Sequence, residues 1–219
     1  MLIRKVSVFL YATFLNKTVV RHYQTPMSKE KIINIISETY SKLTYECQQE
    51  LLSVSKVFTL QKGEQLVKEG QYSDKTFFII NGCARAFYLK DGKDISDWFA
   101  FENDFISSIN SFFLNIPSPH YIELLEDSEI LELSRKDVEI LSDTYRDFER
   151  LSKIIITKTM LQQQERISSM QFHSAEEKYD NILSIQPNIT KRVPLTHIAS
   201  YIGITLETLS RIRKRKIGI

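Results

Sequence analysis

Between Val57 and Leu133 the chain breaks into short apolar runs separated by turn chemistry. The runs are Val57-Phe58-Thr59-Leu60, Leu66-Val67, Phe77-Phe78-Ile79-Ile80 and Ala84 to Leu89; Lys62-Gly63-Glu64, Glu69-Gly70, Asn81-Gly82 and Asp91-Gly92 punctuate them. Asn-Gly and Asp-Gly are hairpin signals, because glycine takes positive φ at little steric cost. Many short strands at close, regular spacing mean a sandwich or barrel, read here as a jelly roll.

The flanks follow a helical period. From Ser28 to Val54, Ile32, Ile33, Ile35, Ile36, Tyr40, Leu43, Leu51 and Leu52 predict one or two short helices that lid the roll. Beyond Arg135, the positions Leu141, Tyr145, Phe148, Leu151 and Ile155 share one face, which suits a long helix pairing with its twin. Met170 to Ser174 reads as a hinge, and Ser174-Ala175-Glu176-Glu177 as a capping box opening a helix that ends near Ile185-Gln186-Pro187.

Pro194 to Ile204 predicts a short helix with apolar Leu195, Ile198, Ala199 and Ile202, closed by Gly203. Thr205 then caps a second helix with Leu209 and Ile212 on one side and Glu207, Ser210, Arg211 and Lys214 on other faces. Two short helices joined at such a glycine form a helix-turn-helix, the second being the candidate for the DNA major groove. Charge agrees: from Ile189 onward Lys191, Arg192, Arg211, Arg213, Lys214, Arg215 and Lys216 oppose Glu207 alone, seven minus one giving plus six. The whole chain carries only plus two, so residues 1–188 sum to minus four. A basic end with no long apolar segment after it favours nucleic acid over membrane.

At 219 residues and 42% hydrophobic content the chain can bury a core, in one larger and one smaller domain. Cys47 and Cys83 stand far apart in no metal-ligand spacing, which suits a reducing cytoplasm and argues against a disulfide scaffold, an iron-sulfur cluster or a zinc site. The first 26 residues carry Arg4-Lys5 and then an apolar run, Val6 to Leu15, too short to span a bilayer and lacking a small-x-small cleavage site downstream. Three readings of it stand: a misassigned start upstream of Met27, an amphipathic arm, or a targeting segment.

The ordered set Lys62-Gly63-Glu64-x-Leu66-Val67-x-Glu69-Gly70, Phe77 to Gly82 and Asp91-Gly92 resembles the cyclic-nucleotide-binding β-roll. With the terminal helix-turn-helix, residues 28–216 resemble the Crp/Fnr family of bacterial transcription regulators. The resemblance implies an α+β fold: an N-terminal β jelly roll, a long dimerisation helix and a C-terminal winged helix-turn-helix. Domain boundaries follow as an extension over 1–26, a sensor roll over 27–140, the dimerisation helix over 141–170 and the DNA-binding domain over 171–219. Any sheet wing must precede Leu195, around Lys191-Arg192-Val193. A cytoplasmic homodimer on double-stranded DNA, with RNA polymerase as a further partner, is what such a protein would be.

In cyclic-nucleotide-binding members of the family a Gly-Glu pair holds the ribose and an Arg-Ser pair clamps the cyclic phosphate. An ungapped alignment puts those positions on Ser107-Ser108 and Ser118-Pro119. A buried phosphate needs a charge-assisted, preferably bidentate partner, and a serine hydroxyl does not replace a guanidinium. Cyclic AMP is therefore not expected. Ser107, Ser108, Ser118, His120 and Tyr121, with Gln163 and Gln164 where the resemblance puts the effector's base, are left to line a pocket for a smaller or uncharged effector; the rival reading is a packed loop and solvated helix surface.

On the second helix the family pattern Arg-Glu-Thr-x-x-Arg appears as Leu206-Glu207-Thr208-Leu209-Ser210-Arg211. Glu207 would accept from a cytosine amino group and Arg211 donate to guanine, a reading the resemblance supports over a surface ion pair between the two, and Leu206 departs from the pattern. Thr196, Leu206, Thr208, Ser210, Lys214 and Arg215 complete the expected DNA-facing set, with Arg213, Lys214, Arg215 and Lys216 as phosphate contacts. No nucleophile-base pair, phosphate loop or Rossmann fingerprint is found, and the roll has a lone histidine, His120. The expectation is no enzyme, no catalytic or metal residues and no certain cofactor. A ligand-independent DNA-binding protein with a scaffold roll is the alternative, and a cupin-type metalloenzyme the distant one.

Overall fold

A computed structural model describes residues 27–217, so the three readings of residues 1–26 lie outside the described residues. Two helices come first, α1 (Lys29–Thr39) and α2 (Tyr45–Val54), N-capped by the Ser28 and Thr44 hydroxyls. Eight strands follow: β1 (Lys56–Leu60), β2 (Gln65–Val67), β3 (Lys75–Asn81), β4 (Ala84–Lys90), β5 (Lys93–Ala100), β6 (Phe105–Ser107), β7 (Tyr121–Leu124) and β8 (Ser128–Ser134), with α3 (Ile109–Leu114) between β6 and β7. They form two four-stranded antiparallel sheets ordered β1-β8-β3-β6 and β2-β7-β4-β5. The expected jelly roll is present.

Of the two hairpin signals, only one makes a hairpin. Asp91 and Gly92, at φ 51 and 73, turn β4 back onto β5 with Lys90 opposite Lys93. Asn81-Gly82 instead carries the chain from one sheet to the other, since β3 and β4 do not pair. Gly82 is required there by both conformation and space: its φ is 113, and a Cβ would lie 2.9 Å from the Ser128 Cα.

Alternation along the strands builds three cores. Phe77, Ile79, Ala84, Ala86, Ala100, Ile106, Ile122 and Ile130 fill the space between the sheets. Phe78, Ile80, Leu131 and Leu133 point the other way, under α1, α2 and the helices that follow the roll. The continuous Phe77 to Ile80 run is explained by that, since β3 is buried on both faces. Cys83, Phe99, Phe101 and Leu125 make a third face, against the C-terminal helices.

The remaining helices are α4 (Arg135–Thr144), α5 (Arg146–Phe172), α6 (Ala175–Ile185), α7 (Ile189–Arg192), α8 (Leu195–Tyr201) and α9 (Leu206–Ile217). Ser174 and Glu177 form the expected capping box at the start of α6. Two expectations fail. The long helix breaks at Tyr145, and Leu141, Phe148 and Leu151 are buried in the chain's own helical core, so the face they share is not a twin-facing seam. The sheet wing expected around Lys191-Arg192-Val193 is the helix α7, and among the described residues no strand follows Ser134. No described helix is long and apolar enough to cross a membrane.

Candidate functional site

The C-terminal unit is a helix-turn-helix. Gly203, at φ 68, turns the chain between α8 and α9; the Thr205 hydroxyl accepts from the Thr208 N–H at 3.2 Å and caps α9. Leu209 and Ile212 are buried against Tyr179, Ile182 and Ile198, which fixes the rotation of α9. Glu207, Ser210, Arg211 and Lys214 are left exposed on its open side, as are Leu206 and, at the start of α8, Thr196. Thr208 is half-buried and accepts from the Arg211 guanidinium at 3.3 Å. The neighbouring Glu207 carboxylate is held below its usual range by its own backbone N–H and Thr205, with a further contribution from Arg211.

The basic run divides by its partners. Arg215 pairs with Glu176 at 3.4 Å, and Lys216 with Asp180 at 2.8 Å, both on α6. Lys214 has no ion pair among the described residues. Arg192, which belongs to the same sequence cluster, turns away altogether: it donates to Glu102 at 2.7 Å, to Glu126, and to the Gly82 carbonyl at 2.9 Å, with its guanidinium over the Phe101 ring. It fastens the helix-turn-helix to the roll.

A second arginine closes the same junction from the other side. Arg85 on β4 is 2% exposed and stacks on Phe87. It donates to Glu123 at 2.5 and 2.9 Å, to Asp94 at 2.6 and 2.9 Å, to Ser96 at 3.0 Å, and to His197 Nδ1 on α8 at 2.7 Å. An arginine only donates, so Nδ1 must be the unprotonated nitrogen. Burial first, and then Arg85, hold the His197 pKa below its ordinary value, against the opposing pull of Asp94 and Glu123. Ser200 adds a bond to the Ser96 N–H at 2.9 Å. Nothing in residue spacing signalled this network; Arg85 reads as an ordinary strand position until its two carboxylates are brought beside it.

The expected effector positions scatter. Ser107 and Gln163 line a cavity of about 330 Å³ between the roll, α3 and α5. Ser108 and Ser118 are buried and satisfy each other at 2.8 Å, and Ser118 donates on to the His120 carbonyl at 2.7 Å, so the two hydroxyls brace the loop. Tyr121 stacks on Phe87, on the side of the sheet that carries Arg85. Gln164 is exposed. His120 is buried with neither ring nitrogen partnered; it packs edge-on to Tyr88, and burial lowers its pKa while Asp97 acts the other way. Cys47 and Cys83 are both buried free thiols pushed up to about 12 by desolvation. Among the described residues no group of three His, Cys, Asp or Glu side chains is placed to hold a metal ion.

A two-sheet antiparallel roll, a long helix leaving it and a terminal helix-turn-helix define the class. Residues 57–145 match the cyclic nucleotide-binding domain family. No curated protein sequence matches the chain significantly. Among solved structures, FixK2 from Bradyrhizobium japonicum aligns over 76% of this chain and 87% of its own at a TM-score of 0.62 and 17% identity. The c-di-GMP responsive global regulator CLP from Xanthomonas campestris aligns over 80% and 92% at 0.61 and 15%. A protein from Eubacterium rectale assigned to the Crp/Fnr family aligns over 80% and 85% at 0.62 and 14%. Residues 57–145 are thus similar to the cyclic nucleotide-binding domain family, and the chain has the fold of these solved regulators.

Proposed function

We propose that the protein is a homodimeric, sequence-specific DNA-binding transcription regulator of the Crp/Fnr type. The observation that carries this reading is α9: anchored by Leu209 and Ile212, it leaves Glu207, Ser210, Arg211 and Lys214 uncovered on one side. Such a helix fits the major groove, where Arg211 would read guanine, Glu207 a cytosine amino group, and Lys214 a phosphate. Leu206 and Thr208 flank those readers. Thr196 would meet the backbone from α8, whereas Arg215 is tied to Glu176 and would have to exchange partners.

Dimerisation is supported by the outer side of α5. Ile156, Met160, Gln163, Ile167 and Met170 step by four, three, four and three residues, a heptad seam, and its four apolar members are exposed. A twin helix would cover them, with Gln163 at the centre of the seam. Two recognition helices related by such an axis call for half-sites about one helical turn apart, roughly 34–36 Å. Gating by an effector other than cyclic AMP agrees with the loss of the phosphate clamp, since the cavity contains no cationic side chain.

Fluorescence anisotropy with DNA selected from a random pool, combined with light scattering, tests this reading. A dimer bound to one duplex, with affinity falling steeply as salt rises, is the expected result. Calorimetric binding of cyclic AMP in the micromolar range would overturn the effector part alone.

A further inference from the structure

The roll's cavity and the junction with the helix-turn-helix share a wall. The first cavity is lined in part by Phe105, Ile106, Phe112, Leu133 and Phe148, and its one charged lining group is the Asp97 carboxylate. A second cavity, about 320 Å³, lies between β5, α5, α6 and α8, and Arg166 and Tyr201 line it. Trp98 lines both. Across this partition Asp97 accepts from Arg166 at 3.3 Å, its single hydrogen bond among the described residues, although a carboxylate has room for about four. Arg166 is held loosely in return: its second nitrogen reaches the Ser96 carbonyl at 3.4 Å, its Nε is buried without a partner, and its guanidinium lies 4.9 Å from the centre of the Tyr201 ring on α8.

We propose that the first cavity takes an apolar molecule bearing an amine, that Asp97 binds the amine in place of Arg166, and that the freed Arg166 changes how Tyr201 seats α8 on the roll. The inference rests on the regulator reading and names its effector class. Charge complementarity decides the class. A carboxylate at the edge of an aromatic, otherwise uncharged cavity attracts a cation and repels a phosphate or carboxylate, and the surrounding rings offer their π faces to an ammonium. Ser107 and Gln163, elsewhere in the same lining, offer acceptors for its remaining protons. The apolar body replaces water over a surface that the chain leaves uncovered. Asp97 and Arg166 act as positioning residues for α8 in this scheme, because neither touches DNA in the proposed interface.

The chain has one tryptophan, and it sits in the partition, so the test has an intrinsic reporter. Full-length protein is titrated with n-octylamine, n-octanol and octanoate while Trp98 emission is followed. Octylamine should saturate about tenfold tighter than octanol, with octanoate weakest. Asp97→Asn should level the three, and Ser107→Phe, which fills the cavity, should abolish the response. Equal affinities for the three probes in the parent, an unchanged order in Asp97→Asn, or light scattering in which octylamine converts dimer to monomer in step with the emission change would each overturn the site. The last result would mean that the cavity mouth belongs to the twin helix. Octylamine should also shift DNA affinity in the parent and not in Arg166→Gln; an equal shift in both overturns the route to α8. A preserved amine order in a protein that binds no DNA would instead leave the site standing and remove the regulator reading.

Discussion

Arg85 and Arg211 are the same residue put to opposite uses. Arg85 lies 2% exposed in the wall of the roll, with two carboxylates, a serine and a histidine on its donors. Arg211 stands in solvent on α9, with one 3.3 Å contact to Thr208 within its own helix. A fully satisfied buried cation has nothing left to offer a ligand, whereas an exposed, under-used one is open to a polyanion. Charge counted along the sequence does not separate the two, and Arg192 makes the same point from inside the basic cluster: it is spent on Glu102 and Glu126.

If that contrast is right, the largest effect belongs to the buried member. Arg85→Ala leaves Asp94 and Glu123 without their counter-ion and frees His197, and it should cost about 3–5 kcal/mol in urea unfolding. A loss below about 1 kcal/mol, the range of a surface pair, would break the comparison. Arg211→Ala should change unfolding by less than about 0.5 kcal/mol while removing about 1–3 kcal/mol of discrimination at one base pair, read in competition binding against single-site variants. Lys214→Ala is smaller still in its consequence for specificity: all sequences should weaken alike, and the salt slope should fall by about 1.

The smallest effect is the pH dependence of the junction. Because the folded protein favours neutral His197, its contribution is complete above the ordinary imidazole range and erodes as pH falls through it, the folded state binding fewer protons than the unfolded. Urea midpoints at pH 7.5 and 5.5, roughly one unit either side of the ordinary histidine value, should differ more in the parent than in His197→Gln. Identical differences would show that the Arg85–His197 contact does not hold α8.

The sequence exposed the elements whose physics is local. Glycines that need positive φ marked the turns, Ser174 and Glu177 announced their capping box, and the Leu209 and Ile212 spacing fixed which side of α9 packs. What it hid depends on distant partners. Asn81-Gly82 carries the hairpin dipeptide, yet its chain passes between sheets, a choice made by the whole roll. Leu141, Phe148 and Leu151 have coiled-coil spacing, but α1 and α2 compete for that face and win it, leaving Ile156, Met160, Ile167 and Met170 outside. Ser108 and Ser118 bond one another and do not line the cavity; the carboxylate that gives the cavity its character is Asp97, to which no motif pointed.

We propose that α9 reads sequence as one half of a two-fold pair. In vitro selection from a random duplex pool with the purified protein tests it most directly. Enrichment of a two-fold-symmetric site, its half-sites about 10–10.5 base pairs apart and one half-site position relaxed in Arg211→Ala, is the predicted result. A pool that stays random while binding persists at low salt would contradict it, reducing α9 to a charged surface.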